Sequence, residues 1–145
     1  MTLSYFDSSV LLAILLDETK QGEAYKYWQN SIRVSSILLK IETIITLRRI
    51  FENNKEKLCA DWLRKKTQIT DDYLATVNYR ILDNKIEREI YSRKELSQCR
   101  SLDAIHIATA IHFREINNND ETYFYTFDKT MHSLANSYKF KTNIL

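Results

Sequence analysis

Proline is absent from this chain of 145 residues, and Gly22 is its only glycine. A glycine-rich loop that cradles phosphate is thereby excluded, so any phosphate chemistry has to rest on side chains or a metal ion. Cysteine is nearly as scarce. Cys59 and Cys99 lie far apart in no metal-ligand spacing, which fits two free thiols in a reducing cytosol. No apolar run has membrane length or the form of a secretory signal; the longest, Val10 to Leu16, suits the core face of a helix. The expectation is a soluble, cytoplasmic protein with no membrane partner. The formal net charge of +2 and a pI near 8.5 are too mild to demand a polyanionic partner, although they leave room for a local basic patch. The length suits one domain over residues 1–145, without a linker and able to bury a sizeable core.

What is present is an alternation of short β-prone runs and helical patterns. Leu3-Ser4-Tyr5-Phe6 reads as a buried strand that stops at Asp7-Ser8-Ser9 and feeds a helix through Leu16. Asp7 then stands at the carboxyl end of the first strand, where open α/β sheets bind ligands. It also suits the N-cap of the next helix, a role that Ser8 or Ser9 could share. A second amphipathic helix runs from about Lys20 to Asn30, followed by a brief strand at Ile32-Arg33-Val34-Ser35. Ser36 can cap a long helix reaching Phe51, with Ile37, Leu38, Ile41, Ile44, Ile45 and Leu47 as its apolar body. Glu42 falls within that body, so its carboxylate is expected to be part-buried and to need a partner.

Glu56 to Thr67 and Asp71 to Thr76 read as helices, and Val77 to Leu82 alternates like a third strand. The basic bias of Arg48, Arg49, Lys55, Lys57, Arg64, Lys65 and Lys66 reads as solvated helix faces. Asp83 or Asn84 opens a polar helix to about Leu96. The stretch from Ser101 to Phe113 is apolar on nearly all sides, with Ser101 as its expected N-cap and Asp103 in the first turn, where free amides and the helix dipole favour an anion. Asn117-Asn118-Asn119-Asp120 reads as a polar turn, Thr122 to Thr126 as a strand, Lys129 to Tyr138 as a helix and Thr142 to Leu145 as an edge strand. Asp128 repeats the position of Asp7, an acid at the exit of a strand.

This alternation predicts an α/β fold, a central parallel sheet of four to five strands flanked by helices. Asp7 and Asp128 at strand ends, Asp103 at a helix start and Glu42 on a helix would then converge on one edge. Crowded carboxylates raise one another's pKa values, so such a cluster calls for a cation. Oxygen ligands without thiolate suit Mg²⁺ or Mn²⁺, ions that can activate water and stabilise a phosphodiester under in-line attack.

With these pieces in order, the chain resembles the PIN-domain proteins, and among them the small toxin nucleases of the VapBC type of toxin-antitoxin pair. The resemblance is carried along essentially the full length by Tyr5-Phe6-Asp7-Ser8-Ser9, Leu38-Leu39-Lys40-Ile41-Glu42, Leu102-Asp103-Ala104-Ile105-His106-Ile107-Ala108-Thr109-Ala110 and Tyr125-Thr126-Phe127-Asp128. It implies a single PIN-like domain and a divalent-metal-dependent endoribonuclease acting as the toxin of a type II pair. By the same resemblance, Asp7, Glu42 and Asp103 would be primary metal ligands or water-positioning groups. Asp128 would complete a second metal position or act through water, and Thr126, with Ser8, would support the acids by hydrogen bonding. Implied partners are an RNA substrate, transfer or ribosomal, a cognate antitoxin that covers the cleft, and a second copy in a homodimer. His106 is expected to pack or support the acids rather than react, and His112 and His132 carry no pattern. A catalytically silent binding module, whose acidic pocket docks a basic partner, is the alternative reading.

Overall fold

The computed structural model describes residues 1–118 and 120–145. The chain opens with β1 (Thr2–Phe6), α1 (Ser8–Leu15), α2 (Gln21–Gln29), β2 (Ser31–Ser36), α3 (Leu38–Asn53) and α4 (Trp62–Leu74). It continues through β3 (Asn78–Arg80), α5 (Asn84–Ser92), a 3₁₀ turn at Lys94–Gln98, α6 (Ser101–Ile116), β4 (Tyr123–Tyr125), α7 (Lys129–Ser137) and β5 (Lys141–Thr142). Among the described residues the five strands form one sheet in the order β3-β2-β1-β4-β5, and every pairing is parallel. This is the predicted α/β architecture. β1 takes the centre, with Tyr5 opposite Val34 of β2 on one side and Phe124 of β4 on the other.

The centre strand is apolar on both faces because helices cover both. Its period of two sends Leu3 and Tyr5 into one core, with Phe124, Ile107, Ile111, Met131 and Phe140. Phe6 goes into the other, with Val10, Leu11, Trp28, Leu39, Leu47 and Leu74. Ile107 and Ile111 are fully buried, each worth about 1.5–3 kcal/mol in side-chain burial. α6 packs against β2, α5 and α7, which is why its sequence is apolar nearly all round.

Several boundaries differ from those the sequence predicts. The third strand is three residues long because β2 ends opposite Arg80, which leaves Ile81 and Leu82 exposed before Asp83 caps α5. α4 starts at Trp62 rather than near Glu56, with Trp62 stacked on Phe51, and it runs unbroken to Leu74 because Thr70 and Leu74 are buried. Ser101 lies inside α6 and does not cap it; Arg100 occupies the cap without a side-chain bond. Ile41 and Ile45 of α3 are exposed, and the buried face is Leu39, Thr43 and Leu47. Leu102 of α6 is also exposed. β5 takes only Lys141 and Thr142, and Asn119 of the polar turn lies outside the described residues. Both cysteines are free, and no helix among the described residues is long and apolar enough to cross a membrane.

The shortage of glycine leaves its mark at helix ends. Asp17, Asn118 and Lys139 all adopt left-handed backbone, with φ of 51°, 47° and 65°. Behind α7 the Phe140 amide donates to the Ala135 carbonyl and the Lys139 amide to the Asn136 carbonyl, a Schellman closure with lysine where glycine is favoured. Asparagine and aspartate tolerate this region, but a lysine Cβ crowds its own carbonyl. Lys139→Gly is therefore expected to stabilise the fold by about 0.5–1 kcal/mol, read as a higher urea midpoint at an unchanged slope.

Candidate active site

A sheet ordered β3-β2-β1-β4-β5 reverses direction of build between β1 and β4, and in parallel sheets the crevice at the carboxyl ends of two such strands is a ligand site. Asp7 leaves β1 at that point and Thr126 leaves β4 beside it. The Asp7 backbone is extended, so its carboxylate folds back onto the start of α1. Oδ1 accepts from the Ser9 amide at 3.0 Å and from the Ser9 hydroxyl at 2.5 Å. Oδ2 accepts from the Thr126 hydroxyl, also at 2.5 Å. Thr126 Oγ1 in turn accepts from the Asp128 amide at 3.0 Å, and Ser9 Oγ from the Phe127 amide at 2.9 Å. Two hydroxyls thus lace the exit of β4 to the exit of β1.

Thr126 is itself clamped. Asn143 accepts from its amide at 3.0 Å and donates to its carbonyl at 2.8 Å, taking the place of a neighbouring strand beyond the end of β5. His132 lies 2.6 Å from the Asn143 carbonyl through Nε2. Asp7 is 6% exposed. Burial pushes its carboxyl above the usual carboxylate range, while the Ser9 and Thr126 hydroxyls and nearby His106 pull the other way without cancelling the desolvation.

The remaining acids come from helices. Asp128 is half-buried and caps α7, its Oδ1 accepting from the Met131 amide at 2.8 Å. Asp103, in the first turn of α6, is buried and lies 3.5 Å from Nε of Arg100, whose side chain is 80% exposed. Such an exposed, long pair binds weakly. Glu42 on α3 is half-buried and does have the partner its position calls for: Oε1 lies 2.6 Å from His106 Nε2. The other ring nitrogen, Nδ1, lies 2.6 Å from the Tyr5 hydroxyl, which also accepts from the Ser36 amide at 3.1 Å. Burial drives the Tyr5 phenol far above its ordinary range, with Asp7 and Glu42 adding to the effect.

The hydrogen bonds therefore gather the sequence-predicted residues into two groups. Asp7, Thr126 and the backbone of Asp128 meet at the sheet edge, while Glu42 is tied to His106, one helical turn beyond Asp103. Ser8 makes no bond to Asp7; the supporting hydroxyl is that of Ser9. His106, expected to pack or support the acids, bonds Glu42, while Ser9, Tyr5 and Asn143 were the residues that sequence reasoning undervalued. Only Ser9 carried a usable signal, since an aspartate bonds most readily to the residue two places on. Among the described residues no group of three or more His, Cys, Asp or Glu side chains stands ready-made at metal-holding spacing. The chemistry of the donors nonetheless fits a hard divalent ion: all four acids offer oxygen, there is no thiolate, and the buried Asp7 charge is met by neutral hydroxyl donors.

Comparison with known proteins agrees with this fold. The fold is similar to a chain of a toxin-antitoxin complex from Klebsiella pneumoniae, at a TM-score of 0.64 and 16% identity over 90% of each chain. It is also similar to PAE2754 from Pyrobaculum aerophilum, at a TM-score of 0.58 and 14% identity over 99% of this chain and 88% of that one. A sequence comparison with curated proteins finds no match. The PIN domain family model matches residues 4–136. That match takes in the acidic crevice and every strand except β5, and it makes the chain a member of the PIN domain family.

Proposed function

We propose that the protein is a divalent-metal-dependent endoribonuclease and the toxin of a type II toxin-antitoxin pair. PIN domains are generally nucleases. The observation that carries the reading furthest is the buried Asp7 carboxylate at the β1/β4 crevice, held by Ser9 and Thr126. The Ser9 and Thr126 hydroxyls do not cancel the desolvation that raises its pKa, so a bound cation would stabilise the charged form further. Asp7, Glu42, Asp103 and Asp128 would hold Mg²⁺ or Mn²⁺, which supplies an activated water and stabilises charge on the phosphodiester. Ser9 and Thr126 fix the Asp7 carboxylate plane, so that it does not need to reorganise when substrate arrives.

RNA is the proposed substrate. Exposed Arg100 and Lys129, with half-buried Lys20, whose ammonium lies 5.0 Å from the Phe127 ring, give the acidic crevice a cationic rim for phosphate. The antitoxin partner is supported by the fold shared with a chain of the Klebsiella pneumoniae toxin-antitoxin complex and would cover the acids with positive charge. A homodimer and a cytoplasmic location belong to the same reading.

The direct test is total cellular RNA incubated with purified, antitoxin-free protein, with and without Mg²⁺ or Mn²⁺, and mapping of new ends. Discrete metal-dependent ends are expected. Since loss of a group that merely orients a metal ligand costs 10- to 100-fold, Asp7→Asn and Asp103→Asn are expected to cut cleavage by about 100-fold or more while remaining folded. Retained cleavage in both variants, or none from a folded wild type, would sink the reading; the second outcome points to the binding module.

Asp7 also predicts a stability signature. Burial holds its folded pKa above the ordinary carboxylate range, so the charged form is penalised in the native state. That penalty is absent below the unfolded carboxylate pKa, grows as pH rises from there to the raised folded value, and is constant above it. Asp7→Asn is therefore expected to raise the metal-free melting temperature at pH 7 by roughly 2–4 °C, a gain that fades toward pH 4. Excess Mn²⁺ is expected to stabilise the wild type and not the variant. Differential scanning calorimetry at pH 4 and pH 7, with and without Mn²⁺, reads all of these.

A further inference from the structure

One connection joins three separate elements. Glu42 on α3, His106 on α6 and Tyr5 on β1 form a continuous chain through two links of 2.6 Å, and it ends on the Ser36 amide at 3.1 Å. Its middle member is 2% exposed and the tyrosine is fully buried, so water does not compete for the Tyr5–His106 bond, while the His106–Glu42 bond is part-buried. The direction of the chain follows from what each group can do. A carboxylate only accepts, so His106 Nε2 carries the proton toward Glu42; in a neutral ring Nδ1 is then an acceptor, and the Tyr5 hydroxyl donates to it. Tyr5 is in turn held by the Ser36 amide and by stacking on Phe124 at 4.8 Å. The ring has no rotational slack left.

We propose that His106 is a positioning residue for Glu42: the Tyr5 hydroxyl fixes its tautomer, and its Nε2–H holds Glu42 Oε1, leaving Oε2 as the oxygen through which Glu42 takes part in binding a cation. The inference rests on reading the acids as a divalent-ion site. Without the ring, Glu42 has no other hydrogen-bond or ion-pair partner among the described residues, and a long side chain at the rim of the crevice would sample many rotamers. Packing alone would not require a histidine here, since an apolar ring of similar size fills the same space. A nitrogen on both sides of the ring is what the two bonds use.

The experiment is calorimetric titration of metal-free protein with Mn²⁺, comparing wild type, His106→Ala, His106→Gln and Tyr5→Phe. His106→Ala is expected to weaken Mn²⁺ binding by roughly 10- to 100-fold. His106→Gln places an amide N–H near the position of Nε2 and is expected to recover most of that loss. Tyr5→Phe keeps the ring packing and removes only the hydroxyl, so it serves even if the alanine variant does not fold. It is expected to weaken binding in the same direction, and ¹⁵N spectra should show His106 losing its single Nε2–H tautomer. Unchanged or tighter Mn²⁺ binding in a folded His106→Ala or Tyr5→Phe protein overturns the proposal while leaving the ion site standing. A wild type that binds no Mn²⁺ overturns both.

Discussion

A carboxylate withdrawn from water has to meet hydrogen-bond donors or positive charge, or give up its own charge. Asp7 meets donors. Much of the surrounding architecture can be understood as the means of supplying them: Ser9 from the first turn of α1, Thr126 from the exit of β4, and Asn143 from beyond β5 to hold Thr126 in place. The same carboxylate oxygen that accepts the Ser9 hydroxyl also caps α1. One side chain therefore starts a helix, joins two strands and presents charge at the crevice. These tasks are compatible because each carboxylate oxygen has two lone pairs, and no atom is asked to accept beyond that number.

The four acids stand on two kinds of element. Asp7 leaves β1 directly and Asp128 caps α7 just past β4, where backbone position is set by the sheet. Glu42 and Asp103 come from helices lying over it, and a helix can shift by rotation or sliding in a way that a central strand cannot. The Glu42–His106–Tyr5 chain ties α3 and α6 to β1, two residues before Asp7. It gives the helical acids a reference to the same strand that carries the buried one.

The sheet, its parallel character and the strand exits at Asp7 and Asp128 were legible in the sequence because they depend on local pattern: an apolar run, then an acid, then helical spacing. α6 was legible for the same reason, its apolar girth announcing burial. What sequence could not supply was anything decided by a distant partner. β3 is short because β2 runs out at Ser36, and nothing within Val77 to Leu82 says so. Ile41 and Ile45 look like core and are exposed, since the buried face of α3 depends on what packs against it. Which acid His106 supports was not legible because its bond to Glu42 crosses 64 positions, and Asn143 read only as part of an edge strand because its partner is 17 positions back.

The placement of β1 also has a kinetic consequence. Its neighbours pair with it from Ser31 on one side and from Tyr123 on the other, and the Thr126–Asp7 bond closes over 119 positions. Long closures lose chain entropy before any contact repays it, and folds rich in them form slowly. A chain that has joined β1 to β2 but not yet to β4 has an open strand edge and an Asp7 without its threonine. The acidic crevice is complete only once β4 has paired with β1, so its assembly requires a long-range pairing of the sheet.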